Sequence, residues 1–202
     1  MLQALAELVK GGLVGRLEVI NLDVHPEAGL GLGVRSVPWL RVGPFEFSGV
    51  LSRGELESWA RRAGSAEGMA DYFHVLLKEG GLSRVQAMVD AQPDRLGDLL
   101  PIVANPDASM NVRLGASAVF ERRAGTVELR ALLPQLGQLA AHPDARVRAD
   151  ACHYLGLAAM AQGRDYLLPR LQDESADVRE IAADSLAVLG ATSNTSQEEQ
   201  RP

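Results

Sequence analysis

Residues 132–156 read LLPQLGQLAAHPDARVRADACHYLG, and the same order of residue types returns on either side of them. Leu99-Leu100-Pro101 and Leu167-Leu168-Pro169 repeat the opening triplet Leu132-Leu133-Pro134. Each triplet leads through an acidic or Pro-containing turn to a Val-Arg pair: Val112-Arg113, Val147-Arg148, Val178-Arg179. The period is roughly 31 to 35 residues, a range in which one unit is a pair of helices that buries its apolar face only by stacking on its neighbours. The fourth residue after each Val is Ala116, Ala151 or Ala182, and the eighth is Phe120, Leu155 or Leu186. Small then large on one stripe predicts helices that approach closely at the alanine and interlock at the bulky residue.

Working outward, the pattern predicts helices at about 69–79, 82–91, 95–104, 112–123, 127–141, 146–161, 165–172 and 178–189, separated by Gly, Asn-Pro, His-Pro and acidic turns. The final ATSNTSQEEQRP (191–202) has no apolar periodicity and is expected to be a disordered tail. Upstream, residues 64–68 read as a linker, and before them the elements change type. A helix from Leu2 to about Lys10 stops at Gly11-Gly12, and LEVINLDV (17–24), rich in β-branched residues, predicts a buried strand. EAGLGLG is a helical turn, WLRV and FEFSG are short strands joined through Gly43-Pro44, and Ser52 caps a helix reaching about Arg62. The expected organisation is an α+β region over 1–63, a linker over 64–68, an all-α helical solenoid over 69–190 and a tail over 191–202.

Composition narrows the function classes. Hydrophobic residues make up 47% and charged residues 23%, which suits a globular chain, while aromatics at 4% leave the core to Leu, Val and Ala. A formal net charge of -6 disfavours a nucleic-acid partner, because binding a phosphate backbone needs a clustered basic face. The absence of an apolar run of about 18 residues leaves no expected membrane span, and a cytoplasmic location is the expectation. One cysteine, Cys152, permits neither an internal disulfide nor a Cys-x-x-C zinc site. His25, His74, His142 and His153 show no metal spacing, so no cofactor or metal is expected.

The Leu-Leu, acidic turn, Val-Arg, Ala-Ala, Leu-Gly order over about 68–190 resembles HEAT-like repeats. That resemblance implies a protein-binding solenoid in which an Asp five residues before the Val ties successive repeats together with the Arg. Asp107 and Asp173 match, whereas His142 holds the middle position. Residues 1–63 resemble a thioredoxin-like domain through INLDVHPE (20–27), GVRSVP (33–38) and FSGVLSRGELESWA (47–60). The expected fold is therefore a partial thioredoxin-like domain followed by a HEAT-like helical solenoid. The thioredoxin resemblance implies a cis peptide before Pro38 and a loop of Ser36, Val37 and Pro38 that takes a thiol peptide or glutathione-like ligand. The family's first strand and its Cys-x-x-C are missing from these residues, and an apolar strand with Cys-x-x-C is expected just upstream of Met1.

Several side chains stand out as candidates for function. Asp150, His153 and Leu157 share the stripe of their helix that does not carry the Ala and Leu core positions, with Tyr154 beside them. Two readings are open for them: a solvated helix face, or part of a protein-partner surface. Cys152 is expected to be a small buried filler and Arg170 to face solvent. No catalytic residue is assigned. The leading reading is a protein-interaction module of HEAT-like repeats joined to a thioredoxin-like domain without a redox centre. Its alternative is a thiol-disulfide oxidoreductase whose Cys-x-x-C lies upstream of Met1, with the repeats selecting the protein substrate.

Overall fold

The computed structural model describes residues 1–32 and 34–198, with side chains described as far as Gly190. The chain divides between Tyr72 and Phe73 into two compact units, so the division falls inside a helix, Ala66–Lys78, and not at 64–68.

The first unit contains α1 (Leu2–Lys10), α2 (Pro26–Gly31), β1 (Trp39–Val42), β2 (Phe45–Ser48), α3 (Arg53–Arg62) and the opening turns of α4 (Ala66–Lys78). Strands β1 and β2 form an antiparallel hairpin in the register Trp39↔Ser48 to Val42↔Phe45, turning at Gly43, whose φ of +57° suits a residue without a Cβ. Ser52 caps α3 through a complete capping box with Glu55, which turns the buried Leu56 and Trp59 toward the hairpin and α1. Leu5 and Leu8 of α1 pack with Leu56, while Phe45, Phe47, Trp59 and Tyr72 form a ring cluster with centroids 5.0–6.0 Å apart. The Tyr72 hydroxyl donates to the Glu46 carbonyl at 2.8 Å and accepts from its N–H at 3.0 Å.

One expected element is not formed. LEVINLDV (17–24) is not a strand, and Val19, Ile20 and Val24 are 63%, 44% and 64% exposed. The physical reason is the lack of a neighbour: the described sheet has two strands, β1 and β2, and among the described residues no strand pairs with 17–24. A β-branched run favours a strand only where a ladder and a packed face receive it. In place of the three strands expected for this half, the described residues form a two-stranded hairpin between helices.

The second unit continues with α5 (Leu82–Ala91), a 3-10 segment (Pro93–Leu99), α6 (Leu100–Val103), α7 (Met110–Arg122), α8 (Val127–Ala131), α9 (Leu133–Leu139), α10 (Ala145–Leu157), α11 (Gly163–Leu167), a 3-10 segment (Leu168–Gln172) and α12 (Ala176–Glu198). The first helix of each repeat breaks at its Leu-Leu-Pro triplet, because Pro101, Pro134 and Pro169 lack the N–H that would continue the ladder and sit instead in the first turn of the next segment. The second helices run unbroken. The expected tail over 191–202 is helical as far as Glu198, and its last four residues lie outside the described ones.

The repeat phase read from the Val-Arg pairs holds in the packing. Val112, Val147, Val178, Ala116, Ala151, Ala182, Phe120 and Leu155 are all at most 1% exposed, whereas Leu186 is half-buried. At the closest approach of α10 and α12, a Cβ on Gly156 would lie 2.8 Å from that of Ser185.

The turns between repeats are tied unequally. Arg148 grips Asp173 with two bonds, Nε to Oδ2 at 2.9 Å and Nη2 to Oδ1 at 2.7 Å, and the two side chains are only 6% and 3% exposed. Arg170, expected in solvent, is a further donor to Asp173 at 3.3 Å and is 26% exposed. Asp173 also accepts the N–H of Ser175, as His142 accepts that of Asp144 and Asn105 that of Asp107. Asn105, two residues before Asp107, is therefore the counterpart of Asp173 in the first turn, which is correspondingly longer. Histidine at 142 serves the local turn but brings no carboxylate to the preceding repeat's Arg113. That guanidinium turns to Asp150 instead, at 2.6 Å, and its Nη1 is buried with no partner among the described residues.

Candidate protein-interaction surface

Helices α7 and α10 lie side by side and share a polar ridge. Arg113 Nη2 donates to Asp150 Oδ2 at 2.6 Å and to the Arg146 carbonyl at 3.0 Å, bonding the two helices across 37 and 33 residues of sequence. Further along, Ser117 Oγ donates to Glu121 Oε1 at 3.2 Å, and His153 Nε2 lies 3.5 Å from the same oxygen. Burial raises the Asp150 carboxyl above its ordinary range against the opposing pull of Arg113. Met110 and Leu114 stand beside this network on α7, 68% and 61% exposed. The ridge thus sets exposed apolar side chains beside hydrogen-bonded polar ones.

The sequence-predicted residues separate on α10. Asp150, His153 and Leu157 fall on the accessible face, as spacings of three and four residues require. Tyr154 does not: it is 1% exposed and stacks on Phe120, centroids 4.3 Å apart and planes 15° from parallel. One residue beyond His153 turns the side chain about 100° around the helix and into the seam with α7. Its contribution to the surface is the floor beneath His153, whose ring lies 5.6 Å away. Arg113, Glu121, Met110 and Leu114 were missed. Arg113 could have been found from the aspartate that the repeat pattern lacks at 142.

In the first unit, Ser36 and Val37 are exposed and Pro38 half-buried, and the Val37–Pro38 peptide bond is cis. Val37 and Pro38 line an open apolar groove of about 700 Å³; Ser36 does not.

Cys152 is fully buried beside Ala151, and burial pushes its thiol up to about 11. At pH 8 about one molecule in a thousand carries a thiolate. The native chain is therefore expected to react with iodoacetamide about a hundredfold more slowly than the urea-unfolded chain, measured by mass spectrometry over time. Comparable rates would place the thiol at the surface. Among the described residues no three His, Cys, Asp or Glu side chains gather to hold a metal, and no helix is long and apolar enough to cross a membrane.

No curated protein and no solved structure matches the chain. Residues 98–197, which contain the whole α7–α10 ridge, match the family model of HEAT repeats, so the stacked helix pairs of this stretch are similar to repeats that commonly mediate protein interactions.

Proposed function

We propose that the chain is a protein-interaction module whose repeat half engages a protein partner through the α7–α10 ridge. In this reading Asp150, His153 and Leu157 are contact residues, with Arg113, Glu121, Met110 and Leu114 completing the surface and Tyr154 supporting it from below. The observation that carries the reading is the inter-helix network Arg113–Asp150 and Ser117–Glu121–His153 beside exposed Met110 and Leu114. Its polar groups are already held in place, so little side-chain entropy remains to be lost when a partner docks. The N-terminal residues 1–63 serve, in this reading, as a thioredoxin-like domain without a redox centre. The order helix, apolar segment, helix, hairpin, helix supports that assignment.

The test is comparative affinity capture with the full chain. Proteins retained by the wild type are expected to be lost from Leu114→Glu and His153→Ala, both with unchanged melting temperature. They are expected to remain on Val127→Glu, a control at a 71% exposed position of α8. Identical partner sets on all four chains would defeat the assignment of the ridge.

A further inference from the structure

The face that carries the ridge continues from α10 onto α12, and its charge changes there. Val178 of α12 corresponds to Val147 of α10, so Asp184 takes the helical position of His153 and Val188 that of Leu157. The close approach of Gly156 to Ser185 holds the two helices in that register. Asp177, Glu180 and Asp184 are all exposed, and spacings of three and four residues line them up in one stripe about 10 Å long. Ile181 is half-buried among them, and Val188, 51% exposed, follows on the same stripe.

Elsewhere on the repeats carboxylates are matched. Asp90 is held by Arg122, Asp144 by Arg146, Asp150 by Arg113 and Asp173 by Arg148. The three on α12 enter no ion pair among the described residues. Glu121 of α7 has His153 beside it at 3.5 Å and no lysine or arginine among the described residues. The nearest bases are already engaged: Arg146 is paired with Asp144, and Arg179 donates to the carbonyls of Asp173 and Glu174 at 2.7 and 3.1 Å. The face therefore joins exposed Met110, Leu114 and Val188 to four carboxylates without a cationic partner. Among the described residues no three acids gather closely enough to hold a metal ion, so a small cation does not answer this charge. Spread carboxylates beside apolar side chains are complementary to ammonium or guanidinium groups carried on apolar stems.

Resting on the assignment of the α7–α10 ridge as the partner surface, we propose that the partner docks a basic amphipathic helix there. Its apolar side chains lie on Met110 and Leu114, and its lysine or arginine side chains reach Asp177, Glu180 and Asp184. Size agrees with a helix. Neighbouring helices pack about 9 Å apart, so α7 to α12 is about 20 Å, the length of about 14 helical residues. A helix with its side chains is about 10 Å wide, which matches the acidic stripe it would cross. An anionic partner, whether nucleic acid or an acidic helix, would meet repulsion on the same stripe.

The test is fluorescence anisotropy with the full chain and labelled, blocked 14-residue peptides. Leucines stand at helical spacing in every peptide, and the polar positions are all lysine, all glutamine or all glutamate. The lysine peptide is expected to bind one per chain, about tenfold or more tighter than the glutamine peptide, and to weaken as salt is raised. The triple variant Asp177→Asn, Glu180→Gln, Asp184→Asn is expected to weaken it about tenfold with an unchanged melting temperature. Neutralising three other exposed acids, Glu67→Gln, Glu79→Gln, Asp165→Asn, is expected to leave it as it was. Leu114→Gln is expected to weaken the lysine and glutamine peptides alike. Equal loss in the two triple variants would reduce the effect to the net charge of the chain and overturn the proposal. So would a glutamine or glutamate peptide that binds as tightly as the lysine one, or absence of lysine-peptide binding by a natively folded chain. Weakening by Leu114→Gln without weakening by the α12 triple variant would keep the ridge as a docking surface and overturn its basic partner. Weakening by the α12 triple variant alone would overturn the proposal by placing the basic helix off the ridge.

Discussion

Replacing Asp173 with alanine is expected to lower the unfolding free energy by about 3 to 5 kcal/mol, read from urea denaturation. The cost comes from what is left behind. Arg148, 6% exposed, would keep its charge among the turn carbonyls of His142 and Pro143 with only the exposed Glu174 opposite, and Arg170 would lose its acceptor as well. Pairing with Arg148 holds the Asp173 carboxyl below the usual carboxylate range, against the upward push of burial. A folded-state pKa that is depressed contributes stability fully above the unfolded value of 3.8, and loses it as pH falls through the folded value. The wild type is therefore expected to lose more stability on acidification than Asp173→Asn, which has no such proton to bind. A loss under about 1 kcal/mol for Asp173→Ala would mean that the pair behaves as an ordinary surface ion pair.

The same contact explains what the sequence could and could not reveal. Helical periodicity is satisfied locally, so Val112, Val147 and Val178 fixed the phase of the second helices and their buried stripe was legible from spacing alone. The first helices broke where proline removes a donor, a covalent fact that the Leu-Leu-Pro triplets displayed openly. LEVINLDV misled because strand formation depends on a neighbour, and no property of residues 17–24 reports whether a partner strand exists. Tyr154 differs for another reason: it is next to His153 in sequence but not on the surface, because the helix carries consecutive residues to different faces. The Arg113–Asp150 and His153–Glu121 contacts join residues 37 and 32 positions apart, so they needed the helices to be placed side by side before they could be seen. His142 was the exception, a departure from the repeat pattern that pointed to an unmatched arginine in the repeat before it.

That separation of neighbours on α10 leads to a second large effect. Tyr154→Ala is expected to destabilise the chain by about 3 to 5 kcal/mol, the range for emptying an aromatic site in a packed core. His153→Ala is expected to stay within about 0.5 kcal/mol of the wild type. The tyrosine ring is 1% exposed and lies flat on Phe120, so its removal opens a void between α7 and α10 and leaves one face of Phe120 without contacts. Burial raises the pKa of the hydroxyl. Tyr154→Phe, which keeps the ring and loses only the buried hydroxyl, should fall between the two at about 1 kcal/mol. Because α7 and α10 carry the proposed partner surface, Tyr154→Ala should also weaken capture of any ridge-dependent partner, but only together with a lowered melting temperature. His153→Ala should weaken capture with the melting temperature intact. If both substitutions lowered stability equally, His153 would belong to the seam rather than to the surface, and the face of α10 bearing Asp150 and Leu157 would have to be redrawn.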